Sequence, residues 1–210
     1  MWRKGDVIIK IIDVGDADYK AMLDMRNKVL RLPLGLNLFD EKLDEADDIL
    51  FVAYYDRGGS ELQVAVKSEL QGGASQGDVS QGGLQGTSSL QMVGCCILTV
   101  AQKQKKDYNK TGVPSGKFKM RQVAVRENTR GLGIGKHLML CAESYAIKSG
   151  FAEIFMSARD SVYTFYEKLG YKFKGKEYIE VGLPHKIMYK KLPKINKSDL
   201  DHLLGLKEYL

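Results

Sequence analysis

Tryptophan, cysteine, histidine and proline are scarce in this chain: one, three, three and four among 210 residues. The cysteines Cys95, Cys96 and Cys141 form no C-x-x-C pair and join no Cys/His cluster with metal-ligand spacing. No metal site is therefore implied. Adjacent Cys95 and Cys96 would face opposite sides of a strand, and the set reads as reduced, mostly buried thiols that suit a cytoplasmic protein. No apolar run is long enough to cross a bilayer, and Met1 to Asp6 lacks a secretory core, so no membrane partner is expected. The formal charge of +6 comes without a stripe of interleaved arginines and aromatics. Scattered lysines fit a solvated surface and an anionic small ligand better than nucleic acid.

Two phosphate-binding signatures are also missing. A Walker A loop needs a glycine where Arg130 stands and Ser or Thr where His137 stands. A dinucleotide fingerprint needs its third glycine at Lys136, and Gly135 comes one place early. What is present is QVAVRENTRGLGIGK over 122–136: an apolar strand, a charged turn, an Arg-Gly-x-Gly-x-Gly knot and an amphipathic helix. The first-turn amides of that helix have no intrahelical partners and the dipole favours negative charge, which suits a pyrophosphate. Gly131, Gly133 and Gly135 let oxygens approach the main chain, while Arg130 offers a fork and Lys136 a point charge. The competing reading is a glycine-rich turn that binds nothing.

With 44% apolar residues the chain can bury a core and make one domain, spanning 1–194. Val7 to Asp13 reads as a strand, followed by a helix capped by Asp16 and ended by Pro33 and Gly35. The acidic segment 37–48 holds a short helix, and Ile49 to Tyr55 is a strand. Residues 57–91 are rich in Gly, Ser and Gln and read as a flexible insertion, with a brief strand possible at Glu61 to Val66. Further strands are expected at Met92 to Val100, Lys117 to Val125, Ala152 to Ser157, Tyr171 to Lys174 and Ile187 to Lys191. Lys103 to Lys110 reads as a hairpin connection. Helices are expected from Gly133, with Ile134, Leu138, Cys141 and Tyr145 on one face, and from Ser161 to Leu169. Residues 195–210 read as a helical tail that could pack on the domain or support a homodimer. The alternation implies an α/β or α+β sheet with helices on both faces.

The run from Val123-Ala124-Val125 through Arg130-Gly131-Leu132-Gly133-Ile134-Gly135 resembles the Q/R-x-x-G-x-G/A signature of the GNAT superfamily of N-acetyltransferases. Phe165-Tyr166-Glu167-Lys168-Leu169-Gly170-Tyr171 resembles that family's second motif, about thirty residues downstream. Arg26 to Gly35, Glu180 and the Pro184-His185 pair resemble an ElaA-like bacterial subgroup. The resemblance implies a mixed, mostly antiparallel sheet whose middle strands splay apart, with acetyl-CoA in the gap. It implies cofactor contacts from Val123, Ala124, Val125, Arg130, Gly131, Leu132, Gly133, Ile134, Gly135, Lys136 and Tyr166. Tyr166 takes the position of the residue that protonates the leaving sulfur. Asp160 and Ser161 replace an Asn that the family often places near the cofactor.

Acetyl transfer to an amine also needs a base, and the strand Lys119-Met120-Arg121-Gln122 carries no acid. His185 is the substitute, unless it is a loop histidine that only orders its turn. The acceptor is expected to be a small-molecule or peptide amine. The acidic residues between Asp40 and Asp48 either attract a cationic acceptor or form a solvated helix face. Two functions stay open at this point: an N-acetyltransferase, or a non-catalytic acyl-CoA-binding module.

Overall fold

A computed structural model describes residues 7–56, 90–101 and 116–193 of the chain. Seven strands form one sheet: β1 (Val7–Ile12), β2 (Ile49–Asp56), β3 (Leu90–Val100), β4 (Lys117–Val125), β5 (Glu153–Arg159), β6 (Lys172–Glu180) and β7 (Leu183–Lys191). Their spatial order is β1-β2-β3-β4-β5-β7-β6. Every neighbouring pair is antiparallel except β4 and β5, which run parallel. The expected Glu61 to Val66 strand, the Lys103 to Lys110 connection, the tail 195–210 and nearly all of the insertion 57–91 lie outside the described residues.

Alternation along β3 sorts its side chains between two cores. Cys96 and Leu98 join the cluster under α2 (Ile134–Lys148), while Cys95 and Ile97 join the one under α1 (Ala17–Arg26). The adjacent cysteines thus do face opposite sides, and both are fully buried. Burial pushes the Cys95 thiol up to about 12, so it is an inert core group. Along α2 the buried apolar positions are Ile134, Leu138, Met139, Ala142 and Ala146. Cys141 and Tyr145, expected on that face, are only half-buried, because the real stripe runs one residue round the helix.

Gly94 brings α2 close to the sheet. A Cβ there would meet Leu138 Cδ1 at 2.9 Å and the Ala124 carbonyl oxygen at 3.1 Å. Two helices end in the same hydrogen-bonded device. After α2, Gly150 N–H donates to the Ile147 carbonyl and Phe151 N–H to the Ala146 carbonyl. After α3 (Tyr163–Lys168), Gly170 donates to Glu167 and Tyr171 to Tyr166. Both glycines take positive φ, 78° and 87°, as a left-handed helix terminus requires. The Leu169-Gly170-Tyr171 sequence is therefore a stop signal that fixes the last turn of the helix carrying Tyr166.

α1 does not run straight to Pro33. It passes into a π-helical turn over Asn27–Arg31 and a 3-10 turn over Leu32–Leu34, and Gly35 ends the run at φ 70°. The 37–48 segment contributes a 3-10 turn, Leu38–Asp40, whose N-cap Asn37 accepts from the Phe39 amide.

The last two strands are longer than their apolar residues suggest. Val181 and Gly182, with φ 53° and 73°, make a two-residue hairpin turn between β6 and β7. Polar residues of β6 face solvent on both sides of this edge strand, which hides it from periodicity. His185 consequently lies inside β7, just past the Val181-Gly182 turn, and is not a loop histidine.

Candidate active site

The parallel pairing of β4 with β5 covers only Lys117↔Glu153, Phe118↔Ile154 and Lys119↔Phe155. Beyond Lys119 the two strands part. The cause is visible on the other edge of β4, where Cys95 pairs with Ala124 but Ile97 pairs with Arg121. Gln122 and Val123 together oppose Cys96, a β-bulge, and Gln122 takes φ 54°. A bulge bends its strand and raises its twist, which turns the end of β4 away from β5. Main-chain groups of Val123, Ala124 and Val125 on the cleft side are left without a strand partner.

The gap opens into a groove of about 1050 Å³. Val123, Ala124, Val125, Arg130, Gly131, Gly133, Ile134, Gly135, Lys136, Tyr166 and His185 all line it. Leu132 does not: its side chain is exposed and turned out, so only its amide could serve a ligand. Ser161 lines the groove, and its amide donates to the Asp160 carboxylate, which caps the turn before α3.

At the groove's far end, Gly131 and Gly133 both have φ 83°, and Gly133 caps α2 with no side-chain bond to its first amides. The first helical bond is His137 N–H to the Gly133 carbonyl, and His137 Nδ1 lies 2.9 Å from that same oxygen. The amides of Gly131 to Lys136 have no backbone acceptor among the described residues. Gly135 sits against Phe165, whose Cζ would be 3.3 Å from an added Cβ. Among the described residues Arg130 is held only by an exposed contact with Glu127 at 3.7 Å, which leaves most of its guanidinium open. This cradle of open amides beside two cations fits the diphosphate of coenzyme A.

Tyr166 is 7% exposed and reaches the groove from the α2/α3 side of the sheet. Burial, with Cys96 nearby, pushes its phenol well above the ordinary range, so it stays protonated. His185 comes from the other side. Met188 of β7 belongs to the core under α2, and alternation sends His185, three residues earlier, to the opposite face. It is 6% exposed, so it is neither a surface nor a loop residue. The Leu183 carbonyl lies 2.8 Å from Nδ1 and can only accept, so Nδ1 carries the hydrogen and Nε2 presents a lone pair. Tyr178 stacks beside the imidazole, with ring centroids 6.2 Å apart. Its hydroxyl donates to Ser157 Oγ at 2.6 Å, and the Ser157 hydroxyl donates to the Glu180 carboxylate.

The acidic stretch is divided: Asp40, Glu41, Asp44 and Asp47 are exposed, whereas Glu45 and Asp48 are drawn into the groove wall. Glu45 is buried, and its carboxylate accepts from Arg26 Nη1 and Nη2, both at 2.8 Å, and from Tyr19 at 3.0 Å. Arg121 adds contacts to Glu45 at 3.3 Å and Asp48 at 3.5 Å. Glu41 is paired with Arg31. Burial raises the Glu45 carboxyl, but the Arg26 bonds and charge outweigh it, and the net shift is downward. Glu41, Glu45 and Asp48 thus brace the groove wall through arginine pairs. Ser157, Arg159, Tyr178 and the Arg26–Glu45 pair carry no local sequence signal, because their partners lie on other strands or nineteen residues away.

Residues 98–192 match a family model described as an acetyltransferase (GNAT) domain. The Bacillus subtilis protein YyaT, itself uncharacterized, is 24% identical over 96 residues, which are 46% of this chain and 65% of that protein. The crystal structure of Escherichia coli ElaA superposes with a TM-score of 0.58 at 14% identity, covering 88% of this chain and 99% of that one. An aminoglycoside 6'-N-acetyltransferase complexed with coenzyme A superposes with a TM-score of 0.53 at 15% identity, covering 90% and 99%. Among the described residues no helix is long and apolar enough to cross a membrane. Residues 98–192 are thus matched to the acetyltransferase (GNAT) domain, and the seven-stranded sheet with its parted middle strands has the fold of these N-acetyltransferase structures.

Proposed function

We propose that the protein transfers an acetyl group from acetyl-CoA to a primary amine, by direct attack of the amine on the thioester. One observation carries this reading: the open amides of Gly131 to Lys136 lead along the free edge of β4 to a point flanked by Tyr166 and His185 from opposite sheet faces. Bound acetyl-CoA supplies an acyl thioester whose carbonyl carbon bonds to the amine nitrogen while its C–S bond breaks.

The chain's own groups supply the rest. Amides of the parted β4 edge around Val123 to Val125 hold the pantetheine arm and donate to the thioester oxygen as it gains charge. His185 Nε2 takes the proton that the amine must lose. Tyr166 gives its phenolic proton to the departing sulfur, a role that its burial preserves by keeping the hydroxyl protonated. Exchange with solvent then returns one proton to Tyr166 and removes one from His185.

Calorimetry with coenzyme A, followed by thiol release from acetyl-CoA with a panel of amines, tests this reading. We expect Tyr166→Phe to bind coenzyme A normally and to lower turnover by roughly ten- to a thousandfold, since water can partly replace the phenol. Unchanged turnover in the folded variant removes Tyr166 from the reaction. Coenzyme A binding without amine-dependent thiol release by the native protein would leave a binding module instead.

A further inference from the structure

The chemical class of the acceptor is written on the α1 side of the cleft. β6, β7 and β5 place Tyr178, His185 and Arg159 in one transverse row: Tyr178 pairs with His185, and His185 pairs with Arg159. Directly opposed residues on neighbouring antiparallel strands share a face and lie side by side. The Arg159 side chain extends from this row toward the π-helical turn after α1, where Nη2 reaches the Leu30 carbonyl at 3.4 Å. That is its only hydrogen bond among the described residues, and no carboxylate lies within ion-pair distance. Its acidic neighbour, Glu180, already accepts the Ser157 hydroxyl. The other arginines of this wall are occupied: Arg26 and Arg121 by Glu45, and Arg31 by Glu41.

Arg159 is thus a half-buried guanidinium beside the proposed base, with most of its donor fork unspent. Burial and the nearby charge of Arg31 both act against it, and an incoming anion relieves both. A planar fork of this kind matches a carboxylate or phosphate. Resting on the transferase reading above, we propose that the acceptor amine carries an oxyanion close to its nitrogen, as free amino acids and aminoalkyl phosphates do, and that Arg159 binds that group.

The test uses the full chain, acetyl-CoA and matched acceptors: the standard amino acids, their carboxamides, phosphoethanolamine, and putrescine as a polycation. Thiol release is expected to favour the oxyanion-bearing members over their amides by about ten- to a hundredfold in kcat/KM, the scale of one charge-assisted contact. The amino-acid and phosphate arms then separate a carboxylate from a phosphate ligand. Arg159→Gln should bring the acid-to-amide ratio to within about twofold of unity, and Arg159→Lys should keep part of the preference. Calorimetric titration of the favoured acceptor into coenzyme A-loaded protein should show the same loss for Arg159→Gln without reference to turnover. Equal or better use of amides or putrescine overturns the proposal, as does an Arg159→Gln variant that keeps the native ratio. Failure to bind coenzyme A would instead overturn the transferase reading. If coenzyme A binds but no amine releases thiol, titrations of the amino acids and of phosphoethanolamine into the loaded protein still decide for or against the Arg159 contact.

Discussion

Glu45→Gln isolates the electrostatics of the groove wall. Arg26 and Glu45 are 1% and 0% exposed at their side chains, and two bonds of 2.8 Å join them. The amide keeps the shape but removes the anion, leaving the Arg26 guanidinium buried without compensation. Breaking one partner of a buried pair costs about 3–5 kcal/mol. For a domain of this size each kcal/mol moves Tm by about 2–4 °C, so a fall of roughly 6–20 °C is expected. The sign of the pH dependence follows from the depressed Glu45 carboxyl. Its contribution is complete above the unfolded glutamate value, about 4.3, and is lost as pH falls through the lower folded value. Native and variant stabilities should therefore converge as the solution is acidified below about pH 4. Replacing both residues, as Arg26→Met with Glu45→Leu, removes the uncompensated charge and should cost less than Glu45→Gln alone. Urea denaturation across pH measures all three. A Glu45→Gln variant within about 1 kcal/mol of native, with the same slope against pH, would refute the reasoning.

His185→Gln should lower turnover by about a hundredfold or more while leaving the coenzyme A Kd unchanged by calorimetry, because the imidazole lines the groove from the sheet face opposite the α2 core. A parallel loss of coenzyme A affinity would place it in cofactor binding instead. Gly94→Ala drives a Cβ into Leu138 and the Ala124 carbonyl, and is expected to cost about 1–3 kcal/mol in chemical denaturation. A cost under about half a kcal/mol would show that α2 can back away from the sheet freely.

What the sequence disclosed depended on how local the cause was. The strand, glycine knot and helix over 122–136 are consecutive, so their turn chemistry could be read directly, and the loop lies where that reading put it. Cys95 and Cys96 were legible for the same reason, since strand alternation is a neighbour rule. The parting of β4 and β5 was different. It follows from a bulge at Gln122, a residue with no intrinsic need for positive φ, and it came only from family resemblance. The acidic stretch misled because Glu45 meets Arg26 and Arg121 at sequence separations of 19 and 76. The setting of His185 left two readings open: Val181 and Gly182 alone make the turn, and pairing with Arg159 and Tyr178 draws the histidine into the sheet.

The bulge at Gln122 ties these pieces into one device. A non-glycine residue in the left-handed region costs on the order of 1–3 kcal/mol, and it persists only where surrounding structure enforces it. Here the enforcement comes from both sides of β4. Cys95 Sγ lies 3.6 Å from the Gln122 carbonyl within the α1 core, and Ala124 re-enters register with Cys95. The Arg126 amide then donates to the Val93 carbonyl at 2.8 Å, and its Nε to the Met92 carbonyl at 2.7 Å, clamping the strand before the glycine loop. Regular pairing of β4 with β5 along its whole length would close the groove, and Tyr166 and His185 would be separated by a continuous sheet. The strain at one residue thus opens the gap through which side chains from opposite faces of the sheet line one groove.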